Sequence, residues 1–89
     1  MRIPQRKEGQ GRLVSRGTDP QEYTVAYRLN IITNMIEHDG AEPTVGGIRS
    51  RGTVRCLDGR ALPQGHYDLH TDKEIIHVEN NGLAWVVLM

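Results

Sequence analysis

Glu22-Tyr23-Thr24-Val25-Ala26-Tyr27-Arg28-Leu29-Asn30-Ile31-Ile32 is the stretch on which the fold turns. Tyr23, Val25, Tyr27, Leu29 and Ile31 alternate with Thr24, Ala26, Arg28 and Asn30. A period of two is that of a strand with one face buried and the other in water. Leu29, Ile32 and Ile36 also have helical spacing, but Ile31-Ile32 and Thr33-Asn34 are poor helix formers, so no more than a helical turn is expected there.

Outward from this segment, glycines punctuate the chain at short intervals, each where a tight turn or strand irregularity makes sense. Strands are expected near 12–16, 22–32, 47–57, 65–71, 74–80 and 83–88. Six short strands with little helix read as all-β, a small six-stranded antiparallel barrel or compact sandwich. Residues 1–11 hold Pro4, Gly9 and Gly11 among Arg2, Arg6, Lys7 and Glu8. They read as a flexible, disordered basic arm ahead of a single β domain over 12–89. Thr33 to Gly46 is the longest connection, and it reads as a plain hairpin connection or as a loop of the kind that often carries function.

Two turns set the expected pairing of the C-terminal half. Asn81-Gly82 between apolar runs is a hairpin signal for a type I′ turn, which places Val78 opposite Trp85 and Glu79 opposite Ala84. A two-residue loop at Asp72-Lys73 places Asp68 opposite His77, His66 opposite Glu79 and His70 opposite Ile75. A slip of one residue would exchange the faces.

The composition bounds the function. The chain has 89 residues, with 11 Lys+Arg balanced by 11 Asp+Glu and a single cysteine. Zero net charge argues against a strongly basic nucleic-acid binder. No apolar run is long enough for a membrane helix, no secretory h-region follows the basic start, and a cytoplasmic location is expected. Cys56 has no second cysteine for a disulfide or thiolate zinc site, and it shares the face of Ile48 and Val54 as a buried thiol. A chain this short builds a thin core, so self-association would add burial.

Three surfaces stand out. Arg49, Arg51 and Arg55 alternate with Ile48, Ser50, Val54 and Cys56, so their guanidinium groups share one strand face. Arg28 extends that face from the preceding strand, and Arg12 and Arg16 could add to it. Through Arg60 the chain carries 10 basic and 7 acidic residues, against 1 and 4 in the remainder, so positive charge is segregated. Arginine's planar donor fork suits carboxylates and phosphates. A nucleic-acid-binding β surface usually adds exposed aromatic platforms, and here all four aromatics read as core. Nucleic acid is therefore an unlikely partner.

The last strand, Leu83 to Met89, is apolar on both faces. Leu83, Trp85 and Val87 would join the core, leaving Ile75, Val86 and Leu88 as an apolar patch for a homodimer. Third, His66, Asp68 and His70 share a strand face with His77 and Glu79 opposite. These are ligand types for zinc or another divalent metal, although same-face strand neighbours roughly 6.5–7 Å apart lie at the outer reach of two ligands to one ion.

No serine-hydrolase elbow, Walker loop, zinc-protease helix motif, EF-hand loop or dinucleotide fingerprint is present. The expectation is a small non-enzymatic binding or assembly module without a cofactor. It would self-associate through its C-terminal hairpin and present Arg28, Arg49, Arg51 and Arg55 to an anionic protein or small ligand. The alternatives are a metal-binding domain or metal-dependent enzyme using His66, Asp68, His70 and His77, and a nucleic-acid-binding β domain.

Overall fold

The computed structural model describes residues Met1–Leu88 and contains six strands. They are β1 (Arg2–Ser15), β2 (Glu22–His38), β3 (Ala41–Cys56), β4 (Gly65–His70), β5 (Ile75–Asn80) and β6 (Trp85–Val87). The strands close as a barrel in the order β1-β2-β3-β6-β5-β4, and every neighbouring pair is antiparallel. Between a barrel and a sandwich, the structure is the barrel. Two three-stranded meanders, β1-β2-β3 and β4-β5-β6, are joined where β1 meets β4 and β3 meets β6.

The alternation in β2 sets the inside of the barrel. Val25 and Leu29 have no exposed surface, and Ile31 is also buried. Leu13, Val54, Cys56, Leu69, Ile76 and Val78 meet them from the other strands, with Tyr67 and Trp85 among them. The two rings lie 5.4 Å apart at a tilt of 48°. Tyr67 donates its hydroxyl hydrogen to the Pro63 carbonyl, 2.5 Å away, and Asn80 Nδ2 donates to Leu62 at 3.1 Å, so the segment after β3 is tied to the barrel. Buried aromatic hydroxyls need such a partner.

The pairing of β4 with β5 matches the sequence expectation: Asp68 faces His77, His66 faces Glu79 and His70 faces Ile75. The next hairpin differs. Val78 stands opposite Val87, Glu79 opposite Val86 and Asn80 opposite Trp85, a shift of two residues. The cause is the turn. Gly82 has φ of 88° while no non-glycine residue has positive φ, so Asn81 is not in the left-handed conformation a type I′ turn demands of it. Asn81 instead precedes the turn, its side-chain oxygen accepting from the backbone N–H of Leu83 and Ala84, both at 2.9 Å. A shift of two preserves the faces, so Trp85 and Val78 still point inward.

Two larger corrections concern the ends of the first meander. Residues 2–11 are not a free arm: they form most of β1, in unbroken register with β2 from Arg2 opposite Asn34 to Val14 opposite Glu22. Backbone pairing along an edge supplies the order that side-chain hydrophobicity does not, and Pro4 is tolerated because it stands on an edge strand. Thr33 to Gly46 is not an open loop either. It is the tip of a long β2–β3 hairpin closed at Asp39-Gly40, where Gly40 has φ of 68° and His38 pairs with Ala41. Register shifts between Asn34 and Met35 and between Ile36 and His38 accommodate Pro43 and the Gly46-Gly47 pair.

The barrel covers only part of this meander. β4 reaches β1 from Arg12 to Ser15, and β6 pairs with β3 at Gly52 opposite Trp85. Beyond those points β1, β2 and β3 continue as a three-stranded ribbon, giving the molecule dimensions of 50 × 26 × 26 Å.

Candidate functional site

The register of β1 with β2, and that of β2 with β3 from Ala26 to Asn34, place the side chains of one outer face of β1, β2 and β3 in rows. In successive rows Arg2, Asn34 and Gly47 lie side by side, then Pro4, Ile32 and Arg49, then Arg6, Asn30 and Arg51. Glu8, Arg28 and Thr53 follow, then Gln10, Ala26 and Arg55, and Arg12 beside Thr24 ends the series. The sequence-predicted Arg28, Arg49, Arg51 and Arg55 thus share one face, and all four are exposed. β1 adds Arg2, Arg6 and Arg12, which reading residues 1–11 as a free arm had separated from the patch. The rows run about 34 Å at roughly 3.4 Å per residue.

Two carboxylates answer these seven arginines. Glu8 pairs with Arg28 at 3.1 Å, directly across the sheet, and Glu22 pairs with Arg12 at 3.1 Å. Among the described residues, Arg2, Arg6, Arg49, Arg51 and Arg55 have no ion pair. Adjacent like charges on one sheet face repel, and no internal contact offsets that here.

The arginine face runs into the terminal hairpin. Where β3 leaves β6, a shallow groove open to solvent is lined by Asn30, Ile32, Ile48, Arg49, Ser50, Arg51, Val86 and Val87. The seam there is thin: Val87 N–H donates to the Ser50 hydroxyl at 2.5 Å in place of a backbone carbonyl. Val86, expected in a self-association patch, therefore stands beside Arg49 and Arg51. Two surfaces that the sequence presents separately meet in one amphipathic groove. Ile75 is 55% exposed at the start of β5, and Leu88, half-buried, donates its N–H to the His77 carbonyl at 2.8 Å. The polar side chains of His77 and Glu79 alternate with Ile76 and Val78 along β5, on the face of Ile75.

The histidine cluster is built of histidine–carboxylate contacts. His66 Nε2 lies 3.2 Å from Glu79 Oε2, and His77 Nδ1 lies 2.5 Å from Asp68 Oδ1. Arg16 closes the second pair, its Nε donating to the same Asp68 oxygen at 3.1 Å and its Nη2 lying 2.7 Å from His77 Nδ1. Partial burial pushes the Asp68 carboxyl up, but the hydrogen bonds and charges of Arg16 and His77 outweigh it and hold it below the usual carboxylate range. His70 stands at the end of β4, between Arg12 of β1 and Ile75 of β5. Among the described residues, no three His, Cys, Asp or Glu side chains are placed to hold a metal ion. Arg16 belongs to this cluster and not to the arginine face.

Tyr67 and Trp85 are buried, and Tyr23 and Tyr27 pack against the core, with Arg60 over the Tyr23 ring at 4.9 Å. Cys56 is buried too, and that burial, with Asp58 adding to it, pushes its thiol pKa up, away from the reactive thiolate. No protein family, curated protein or solved structure matches the chain, and its likeness to known proteins therefore adds nothing to the geometry of this face.

Proposed function

We propose that the protein is a non-enzymatic binding module whose arginine-bearing sheet face docks an acidic protein surface. The single observation that carries this reading is the set of five arginines without ion pairs on one face of a paired three-stranded sheet. Paired backbone fixes the spacing of the Cα atoms from which the guanidinium groups project, and each guanidinium can take a carboxylate in a bidentate pair. Zero net charge across the chain makes this attraction local to the face. The aromatic residues belong to the core and offer no stacking platform, which favours an acidic protein over single-stranded nucleic acid.

Fluorescence anisotropy with a labelled poly-glutamate peptide tests the reading. Binding is expected at low salt, weakening as salt is added, and is lost in the Arg49→Ala/Arg51→Ala/Arg55→Ala variant. A labelled oligonucleotide bound more tightly than the peptide, with a salt slope near the −4.5 expected for about five neutralised duplex phosphates, would transfer the face to nucleic acid. Binding of neither probe at low salt overturns both.

A further inference from the structure

The groove at the end of the arginine face has an apolar side formed by Ile32, Ile48, Val86 and Val87 and two arginines without ion pairs, Arg49 and Arg51. Its occupant must be apolar and acidic within a short length. One exposed segment of this chain has that composition. At the tip of the β2–β3 hairpin, Ile36 is 50% and Val45 48% exposed, and Glu37, Asp39 and Glu42 are exposed around them. The tip is a paired structure, closed by the Asp39-Gly40 turn and by the hydrogen bond of His38 Nε2 with Thr44 Oγ1 at 2.9 Å.

A molecule cannot fill its own groove. The tip lies six residues of extended strand beyond Ile32, or about 20 Å at roughly 3.3 Å per residue, and the paired ribbon does not fold back over that span. We propose that the groove receives the hairpin tip of a second copy of this chain, with Glu37, Asp39 and Glu42 against Arg49 and Arg51 and with Ile36 against the apolar side. This rests on the reading of the arginine face as a carboxylate-binding surface and names its partner.

Charge complementarity carries the choice of occupant. The chain is neutral as a whole yet holds unpaired arginines on one surface and a cluster of carboxylates at the far end of the ribbon, the arrangement that makes identical molecules attract end to surface. Tip and groove are different surfaces. Two copies that exchange tips close a two-fold dimer, whereas copies that pass tips on in one direction form a larger ring or an open chain.

Sedimentation velocity across a range of protein concentrations, to about 0.1 mM because so small a contact is expected to be weak, reads the association directly. The wild type is expected to associate at low salt and to dissociate as salt is raised. Reversing the tip in Glu37→Lys/Asp39→Lys/Glu42→Lys, or the groove in Arg49→Glu/Arg51→Glu, sets like charges together and is expected to weaken association by about a hundredfold or more. All five substituted side chains are exposed, and circular dichroism with a melting curve checks that each variant folds.

Two experiments separate a tip-to-groove contact from general stickiness. The tip variant keeps a working groove and the groove variant a working tip, and the two reversed surfaces complement each other, so the mixture is expected to associate where neither variant does alone. Combining both reversals in one chain restores association.

A wild type that stays monomeric while still binding poly-glutamate through Arg49 and Arg51 overturns the self-docking and leaves the arginine face as proposed. A monomer that binds no poly-glutamate overturns both. Association insensitive to the tip reversal, or stopping at a dimer sensitive to Ile75→Lys or Leu88→Lys, overturns the groove as its site.

Discussion

The barrel and the ribbon share β1, β2 and β3, yet the same strands obey different rules in each. Within the barrel, Val25, Leu29 and Ile31 of β2 lose nearly all exposure to the core. Along the ribbon, Ile3 and Val45 remain about half exposed, at 45% and 48%. One strand thus changes from holding the fold to carrying a surface without a break in its backbone pairing. Arginines can gather on the outer face of β1, β2 and β3 because the buried inner face of the barrel supplies the stability that the outer face does not.

The sharpest way to break this contrast is a matched pair of truncations. Leu29→Ala removes a side chain with no exposed surface from the centre of the barrel, and its loss should cost about 2–5 kcal/mol by urea denaturation. Val45→Ala on the ribbon should stay within about 0.5 kcal/mol. Similar costs for the two would mean that the ribbon is part of the cooperative core. Amide exchange reads the same contrast, with slow exchange at Val25 and Leu29 and faster local opening near Ile3 and Val45.

A second pair compares glycines eleven and six residues into the same long strand. A Cβ on Gly52 would fall inside contact distance of the Arg28 carbonyl oxygen and 2.8 Å from Leu29 Cδ2, whereas one on Gly47 meets nothing within 4 Å. Gly52→Ala should therefore cost about 1–3 kcal/mol, because the β2 backbone at Arg28 and Leu29 must move. Gly47→Ala is expected to stabilise by about 0.4–1 kcal/mol through the lost freedom of its unfolded chain. Gly52→Ala as harmless as Gly47→Ala would show that the strands do not approach as closely as they are drawn.

What the sequence made legible follows the same division. The alternation from Tyr23 to Ile31 announced β2, and the histidine strand announced its pairing with β5, because burial on one face leaves a period of two in the residues. The ribbon leaves no such mark. Arg2 to Gly11 looks like a solvated arm because its order comes from backbone bonds to β2, which any side chain permits. The hairpin tip did carry a signal, Asp39-Gly40, but Pro43 and Gly46-Gly47 suppressed the strand pattern beside it. Closure was not legible locally, since Leu13 opposite Leu69 and Gly52 opposite Trp85 join residues far apart in sequence. The arginine face was half visible for the same reason: β3 displays its alternation, whereas Arg2 and Arg6 join it only once β1 is paired.

A smaller and pH-dependent effect separates the ion-paired barrel wall from the ribbon. Asp68, held between Arg16 and His77, has its carboxyl below the ordinary range in the folded protein. A lowered folded pKa contributes stability above the unfolded aspartate value of about 3.9, and that stability is lost as pH falls through the folded value. Asp68→Asn should therefore be less stable than wild type near neutrality, with the difference closing below about pH 4. A difference that persists unchanged into acid would trace the effect to packing and not to the carboxylate charge.

The smallest expected effect on stability is the most informative for function. Arg51→Ala removes an exposed guanidinium that has no ion pair among the described residues, so its loss should change stability by no more than about 0.5 kcal/mol. Its sign carries the meaning. Arg49 is its neighbour on the same face of β3 and Arg6 lies in its row, so removing Arg51 relieves repulsion and should stabilise slightly at low salt. Added salt screens that repulsion over a Debye length of about 10 Å at 0.1 M, and the gain should then vanish. A stabilisation confined to low salt, with weaker poly-glutamate binding in the same variant, would mean that the face holds charge at a cost to the fold that an acidic partner offsets. A destabilisation independent of salt would instead make Arg51 a packing residue of the groove, its stem lying along Ile32 and Val86, and would move the binding role to Arg49 and Arg55.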